Sequence, residues 1–171
     1  MKYIRHYSKN WAHEFAEIAK FLRGYLREEM LIHHVGSTAI PAMPAKDIVD
    51  IDIECPNGSI SKVIAALTKA GYEHNGDQGI PSREAFSPRA GTKAIDLRPH
   101  HLYACETRSV ELHRHLAFRD YLRLHPERAI WLADQKQRAD HSASTRDGYI
   151  EGKSGSYGKI VAEAESWLAS K

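Results

Sequence analysis

The fold of this chain is decided by residues 33–53, which read HHVGSTAIPAMPAKDIVDIDI. The pattern predicts a short apolar strand, a Gly36-Ser37 turn, an irregular or helical link, and a second apolar strand. Because side chains alternate between the two faces of a strand, Asp50 and Asp52 point to the same side. Two carboxylates on one buried face repel each other and are costly to desolvate unless a cation lies between them. This stretch is therefore where the sequence indicates chemistry.

The composition is that of one globular protein. The chain has 171 residues, 42% of them hydrophobic, so we expect a single domain over 1–171, with a mixed-sheet core over 1–108 and a helical part over 109–171. A net charge of +2 gives neither a nucleic-acid nor a membrane signature, and nothing in the sequence indicates the oligomeric state. The two cysteines form no disulfide framework or metal-binding spacing, so we expect buried thiols.

We expect a cytoplasmic, reducing setting. The first residues lack the apolar run of a signal peptide, and no stretch approaches the roughly 20 apolar residues that a membrane-spanning helix needs.

The remaining periodicities predict an α+β order, with several short strands before an all-helical last third. A helix with Asn10 as its N-cap precedes the first strand, and a second helix is capped by Ser59 and ended by Gly71. Three glycines weaken the last helix and leave open whether it breaks in two. The natural architecture is a mixed sheet covered by helices. The predicted strands are 31–35, 48–54, 72–74, 83–88, 92–97 and 101–105, and new helices begin near 109 and at Pro126.

Asp50 and Asp52 on a strand are a weak signal alone, because alternating polar residues often simply face water. Here apolar residues frame the pair, and Gly36 lets the backbone approach an anion closely. Exposed turn amides, with the hydroxyls of Ser37 and Thr38, are suited to phosphate oxygens. Mg²⁺ takes one or two carboxylates together with substrate phosphates, so we expect Mg²⁺ (or Mn²⁺) at this site.

These motifs resemble those of a known superfamily and, within it, of one family. Gly-Ser followed after about a dozen residues by Asp-hydrophobic-Asp resembles the nucleotidyltransferase signature. The stretch 34–41 (HVGSTAIP), with Ala45-Lys46 and Asp50-Ile51, is similar to the GrpB family. Further matching segments are 100–102 (HHL), 115–123 (HLAFRDYLR), His125-Pro126, Lys136 and the Tyr149/Lys153 pair.

The resemblance implies a nucleotidyltransferase-like α/β fold with a mixed β-sheet covered by helices and a helical C-terminal region. It also implies metal-dependent transfer of a nucleotidyl group from a nucleoside triphosphate to a hydroxyl. Asp50 and Asp52 would hold the metal, and Asp96, predicted on the strand before His101, would be the third acid. His101 is the rival base. The chain departs from the family pattern at Ala42-Met43, Lys46-Asp47 and Tyr103.

Three basic residues are further candidates for phosphate binding, each with an alternative. Lys46 either neutralises phosphate charge or is a solvated loop lysine. Arg119 either holds a phosphate or pairs with an acidic neighbour. Lys153 grips a nucleotide stacked on Tyr149 if that ring is free, and otherwise Tyr149 is a packed core residue.

Three functions remain open from the sequence. The first is a Mg²⁺-dependent nucleotidyltransferase that acts on a hydroxyl of a small molecule or protein. The second is a non-catalytic nucleotide- or phosphate-binding module on the same fold. The third is a partner-docking domain in which the acidic pair is only a solvated face.

Overall fold

The computed structural model describes residues 1–171, which form five strands and five α-helices. No helix is both long and apolar enough to cross a membrane. The helices are α1 (Asn10–Arg23), α2 (Ile60–Ala70), α3 (Val110–Leu124), α4 (Pro126–Ser142) and α5 (Arg146–Ala169). The strands are β1 (Leu31–Val35), β2 (Val49–Cys55), β3 (Tyr72–His74), β4 (Arg83–Pro88) and β5 (His100–Glu106).

The strands form one mixed sheet in the order β1-β2-β5-β4-β3. Only β2 and β5 are parallel, and the other neighbours are antiparallel. The chain reaches the parallel partner of β2 only after α2, β3 and β4, as parallel strands need a long crossover. The predicted mixed sheet covered by helices is confirmed.

One face of the sheet packs on α1 and α2. Ile51 and Ile53 of β2, with Leu102 of β5, are at most 1% exposed and belong to one apolar cluster with side chains of the two helices. They alternate along each strand with polar residues of the other face. This alternation therefore places the apolar side chains in the core and Asp50 and Asp52 on the opposite face.

The opposite face carries the polar side chains and is bordered by the C-terminal helices. The register aligns Val35, Asp50 and His101 in one row across β1, β2 and β5, and Asp52 and Tyr103 in the next. Helices α3 to α5 form a second apolar cluster beside this face. Buried members of this cluster are Phe118, Leu122, Leu132 and Ile160.

One predicted strand is wrong. Residues 92–97 form no strand, since Lys93–Asp96 is a short 3-10 helix before β5. Its Ala94 is fully buried in the first cluster, while Asp96 is exposed. A turn of 3-10 helix forms its own backbone hydrogen bonds and needs no strand partner. A short alternating pattern in the sequence does not distinguish such a turn from a strand.

The other elements lie close to their predicted positions, with two differences at the helix starts. Ser8 Oγ accepts a hydrogen bond from the backbone N–H of Asn10 at 3.2 Å. Asn10 is the first residue of α1 and not its N-cap. Ser59 precedes α2 without a side-chain cap, whereas Gly71 ends it in the left-handed conformation at φ 99°. Cys55 and Cys105 are fully buried free thiols, as predicted.

Helix α5 is continuous through Gly152, Gly155 and Gly158, so it does not break in two. Gly152 faces α4, where a Cβ would lie 3.3 Å from the Ala139 Cβ. The small residue therefore lets the two helices approach closely. Close packing of this kind offsets the weak helix propensity of glycine.

Candidate functional site

Asp50 is held by a histidine on the neighbouring strand. His101 Nδ1 lies 2.7 Å from Asp50 Oδ1, and the two residues are register partners across the parallel strands β2 and β5. The Asp50 side chain is 31% exposed and that of His101 is 50% exposed. With Nδ1 donating to the carboxylate, His101 Nε2 is left as an acceptor for a proton.

Asp52 is held by a second histidine, from α3. His115 Nδ1 lies 2.7 Å from Asp52 Oδ2, and His115 Nε2 lies 3.2 Å from a Glu111 carboxylate oxygen. The Asp52 side chain is 0% exposed, and its Oδ1 has no hydrogen-bond partner. A fully buried carboxylate is not a solvated surface group, so the docking-domain alternative does not fit this residue.

Charge around His115 outweighs its burial. Desolvation lowers the pKa of the imidazole, but the hydrogen bond and charge of Asp52, with the charges of Glu111 and Asp50, raise the pKa above the ordinary histidine value on balance. The cationic form is therefore favoured next to the acidic pair.

The turn after β1 approaches Asp50 so closely that only glycine fits. Gly36 has φ 68° and ψ −168°, a region that only glycine commonly adopts. A Cβ built there would lie 2.3 Å from Asp50 Oδ2. The turn and the carboxylate are therefore fitted to each other.

We expect Gly36→Ala to destabilise the protein by about 2 kcal/mol or more. Backbone strain accounts for about 1–3 kcal/mol, and the displaced carboxylate loses its hydrogen bond to His101, worth about 1 kcal/mol. Urea unfolding measures the loss. Gly58→Ala is the matched control, since Gly58 also has a positive φ but nothing lies within 4 Å of its Cβ position. Equal losses in the two variants would show that the approach to Asp50 is unimportant.

A cavity of about 190 Å³ next to Asp50 is lined by several basic side chains. We call it the lysine pocket. Lys136 Nζ donates to Ser37 Oγ at 2.9 Å and to the carbonyl oxygen of Pro44, which ties α4 to the turn. Residues that line the lysine pocket include Ser37, Lys46, Asp50, His101, Lys136 and Lys153.

The electrostatics of the lysine pocket favour an anion. Burial, followed by the charge of Lys153, lowers the pKa of Lys136 to about 7 even though Asp50 opposes the shift. Burial also lowers the pKa values of Lys46 and Lys153. Three crowded, partly desolvated ammonium groups are stabilised by a polyanion such as a phosphate chain.

Most of the predicted residues meet at this point. Gly36, Ser37, Asp50, His101 and Lys153 line one or both of the cavities beside Asp50. Lys46 and Thr38 line the lysine pocket, although Thr38 is buried and its Oγ1 forms a hydrogen bond with His34. Tyr149 is 1% exposed, which favours the packed alternative for that ring.

Two predicted residues are not brought to the pair. Asp96 lies on the exposed 3-10 helix, lines neither cavity beside Asp50, and has no ion pair or hydrogen bond to Asp50 or Asp52. Arg119 pairs with its neighbour Asp120 at 2.7 Å and donates to the His34 carbonyl at 3.3 Å. The structure therefore matches the acidic-neighbour alternative for Arg119.

Three residues near the pair escaped the list of candidates from the sequence. His115 and Lys136 lie in segments that carried the family resemblance, but no local pattern indicates that they meet the acidic pair or the turn. Arg83 on β4 is an isolated arginine in the sequence, and only the sheet brings it to the site. His115 contacts Asp52, which is 63 positions away in the chain, and Lys136 contacts Ser37, which is 99 positions away.

Asp50 and Asp52 are the residues that could hold a cation together with a phosphate ligand. Asp52 keeps one buried oxygen without a partner, and the Asp50 oxygen that is not bonded to His101 lies at the Gly36 turn. Histidines that hold the other two oxygens are of the kind that orient metal ligands. No group of three or more His, Cys, Asp or Glu side chains forms a complete protein metal site. The arrangement suits Mg²⁺, which keeps positions for water and phosphate.

The fold has solved counterparts. The structure of the conserved protein GrpB from Enterococcus faecalis matches with a TM-score of 0.77 at 29% identity, covering 96% of this chain and 99% of that one. The Cid1 poly(U) polymerase bound to MgATP matches with a TM-score of 0.56 at 14% identity, over 82% of this chain and 46% of that one. The nucleotidyltransferase-like fold is therefore confirmed.

Sequence relatives lead to the same family. The UPF0157 protein YqkA of Bacillus subtilis is 37% identical over 86% of this chain and 42% of its own length. The UPF0157 protein PA4798 of Pseudomonas aeruginosa is 32% identical over 90% of this chain and 64% of its own length. The chain thus spans less than two thirds of either relative. The family model of the GrpB protein matches residues 3–163. The chain belongs to the GrpB family.

Proposed function

We propose that the protein is a Mg²⁺-dependent nucleotidyltransferase that transfers a nucleotidyl group from a nucleoside triphosphate to a hydroxyl. The observation that carries the proposal is the position of Asp50, which lines the lysine pocket together with the turn residue Ser37. A phosphate chain in that pocket lies next to the carboxylates, where a shared cation has its ligands. The likeness to Cid1 supports the fold of this proposal and not its substrate.

The protein's own groups would divide the work as follows. Lys46, Lys136 and Lys153 bind the phosphate chain, while Asp50 and Asp52 hold the cation. When bound, Mg²⁺ supplies Lewis-acid stabilisation of the phosphate charge. His115 and His101 keep the carboxylates oriented by their hydrogen bonds.

In this proposal His101 takes the proton. The hydroxyl oxygen of the acceptor attacks the α-phosphorus and gives its proton to His101 Nε2. The new P–O ester bond forms as the bond from the α-phosphorus to the bridging oxygen breaks, and pyrophosphate leaves with the bonding electrons. Because Asp50 fixes Nδ1 as the donor, Nε2 is the basic nitrogen.

A second candidate is nucleotide binding without transfer. The positions on β5 beside Asp50 and Asp52 are His101 and Tyr103, so no third carboxylate completes the pair from that strand. A site that keeps the phosphate-binding groups but lacks a competent base would bind nucleotides and release them unchanged.

The proposal predicts Mg²⁺-dependent stabilisation by nucleoside triphosphates. At about 100 times the dissociation constant, binding raises the free energy of unfolding by about 2.7 kcal/mol. Thermal unfolding with ATP, GTP, CTP and UTP, each with Mg²⁺ or with EDTA, measures the effect. Stabilisation that is equal in EDTA, or absent with all four nucleotides, would contradict the proposal.

A transfer assay then separates the two candidates. Wild-type protein is incubated with the α-phosphate-labelled form of the nucleotide that stabilises it, Mg²⁺ and candidate hydroxyl compounds, and both the label transferred to the acceptor and the released pyrophosphate are measured. Acceptor-dependent pyrophosphate release supports transfer, and binding without release for every acceptor supports the binding module.

A further inference from the structure

Arg83 is a buried cation without a counter-ion. The residue is 8% exposed, no carboxylate lies within ion-pair distance, and its Nε has no hydrogen-bond partner. Arginine stays charged in proteins, and a buried charge is costly unless it is paired. In the isolated protein no negative charge pairs with this guanidinium, which indicates a place for an anion that comes from outside the chain.

The guanidinium lies on an aromatic ring that leaves its edge available. The Arg83 Cζ is 4.3 Å from the centre of the Tyr103 ring. Stacking engages the flat face of a guanidinium, whereas carboxylates and phosphates bind to its N–H edge, often through two parallel hydrogen bonds. Tyr103 therefore positions Arg83 without neutralising it.

Arg83 lines a cavity of about 160 Å³ that also reaches Asp50 and His115. We call it the arginine pocket. It lies beside Asp50, which lines the lysine pocket as well, so one carboxylate separates two cavities with cationic walls. The residues of the arginine pocket used here are Gly36, Asp50, Arg83, Tyr103, His115 and Tyr157.

The size and walls of the arginine pocket limit its ligand. Pockets for drug-sized molecules are usually about 300–1,000 Å³, so this one suits a compound of a few carbon atoms or one end of a larger molecule. Aromatic rings of Tyr103 and Tyr157 cover its sides, and Arg83 provides the fixed positive charge.

We propose that the arginine pocket is the acceptor subsite, and that it takes a small hydroxyl compound with a carboxylate or phosphate group bound to Arg83. This inference rests on the proposed function. With the anionic group at Arg83, the rest of the molecule extends toward Asp50 and the neighbouring His101, whose ring centre is 6.3 Å from that of Tyr103. The acceptor hydroxyl then meets the α-phosphorus of a nucleotide held in the lysine pocket.

The test uses three probes with the same carbon skeleton: glycerate, glycerol 3-phosphate and glycerol. Isothermal titration of each into the wild-type protein, Arg83→Met and Arg83→Lys measures binding. We expect at least one of the two anions to bind and glycerol not to bind. Arg83→Met should weaken anion binding at least tenfold, and Arg83→Lys should weaken it less because the charge remains. Comparison of the two anions identifies carboxylate or phosphate as the preferred group.

Two controls distinguish the proposed subsite from a structural role of Arg83 and from anion binding at a different site. Lys153→Met alters the lysine pocket, so anions bound at Arg83 should bind that variant as tightly as wild type. Arg83→Met should unfold at the same or higher urea concentration than wild type, because it removes an unpaired buried charge. A structural arginine would give a clear loss of stability instead.

The outcomes for the subsite and for the proposed function are separate. The subsite is overturned if neither anion binds, if glycerol binds equally well, or if Arg83→Met leaves anion binding unchanged. The proposed function is overturned by the absence of Mg²⁺-dependent nucleotide binding to wild-type protein, a measurement that does not involve Arg83. Failure of the first with success of the second removes the acceptor subsite at Arg83 and leaves the nucleotide-binding part of the proposed function standing.

Discussion

Asp50→Asn is expected to weaken Mg²⁺-dependent nucleotide binding at least about 100-fold, which corresponds to about 2.8 kcal/mol. Asparagine has nearly the same shape and its side-chain oxygen can still accept from His101, but it lacks the negative charge that a divalent cation requires. Asp50 also lines both cavities, so the lost charge acts where the phosphate chain and the acceptor meet. Titration of the stabilising nucleotide in the presence of Mg²⁺ measures the change.

Glu54→Gln is the matched control for Asp50→Asn. Glu54 lies on the same strand and the same face, and it also pairs with a histidine, since its Oε2 is 2.8 Å from His33 Nε2. It lines neither the lysine nor the arginine pocket. Nucleotide affinity should therefore stay within about twofold of wild type in Glu54→Gln. A similar loss in both variants would mean that general acidity of this face, and not the position of Asp50, determines binding.

His115→Leu is expected to reduce the free energy of unfolding by about 3 kcal/mol, because breaking a buried ion pair leaves an uncompensated charge that costs about 3–5 kcal/mol. Asp52 has no exposure to solvent, and His115 is its one hydrogen-bond partner. Urea unfolding of both proteins at pH 6 measures the difference. The control His33→Leu breaks the more exposed pair with Glu54, and it should cost about 1 kcal/mol or less.

The effect of His115 should also depend on pH. The pKa of His115 is raised in the folded protein, so folded protein binds a proton more tightly than the unfolded chain does. The stabilisation is fully present below the unfolded value near 6.5 and is lost as pH rises through the folded pKa. The difference between wild type and His115→Leu should therefore be largest near pH 5.5 and smaller at pH 9. A difference that grows with pH would show that the pair is not charged as described.

Sequence patterns alone are enough to predict the sheet core and the acidic pair. The apolar alternation in residues 49–55 has only one arrangement that buries Ile51 and Ile53, and that arrangement puts Asp50 and Asp52 together on the other face. The need for glycine at position 36 was also predictable from the sequence, because few residues tolerate the conformation of a tight turn beside a carboxylate. These features depend on neighbours in the chain.

The other residues of the site are brought together by tertiary contacts. The strand predicted for 92–97 made Asp96 a candidate third acid, yet the segment forms a 3-10 helix in which Ala94 is buried and Asp96 is exposed. His101 occupies the row of Asp50 because β5 is the parallel neighbour of β2, and His115 reaches Asp52 from α3. Strand order and helix packing depend on the total apolar surface that elements far apart in the chain bury against one another. A local sequence pattern carries no information on that total.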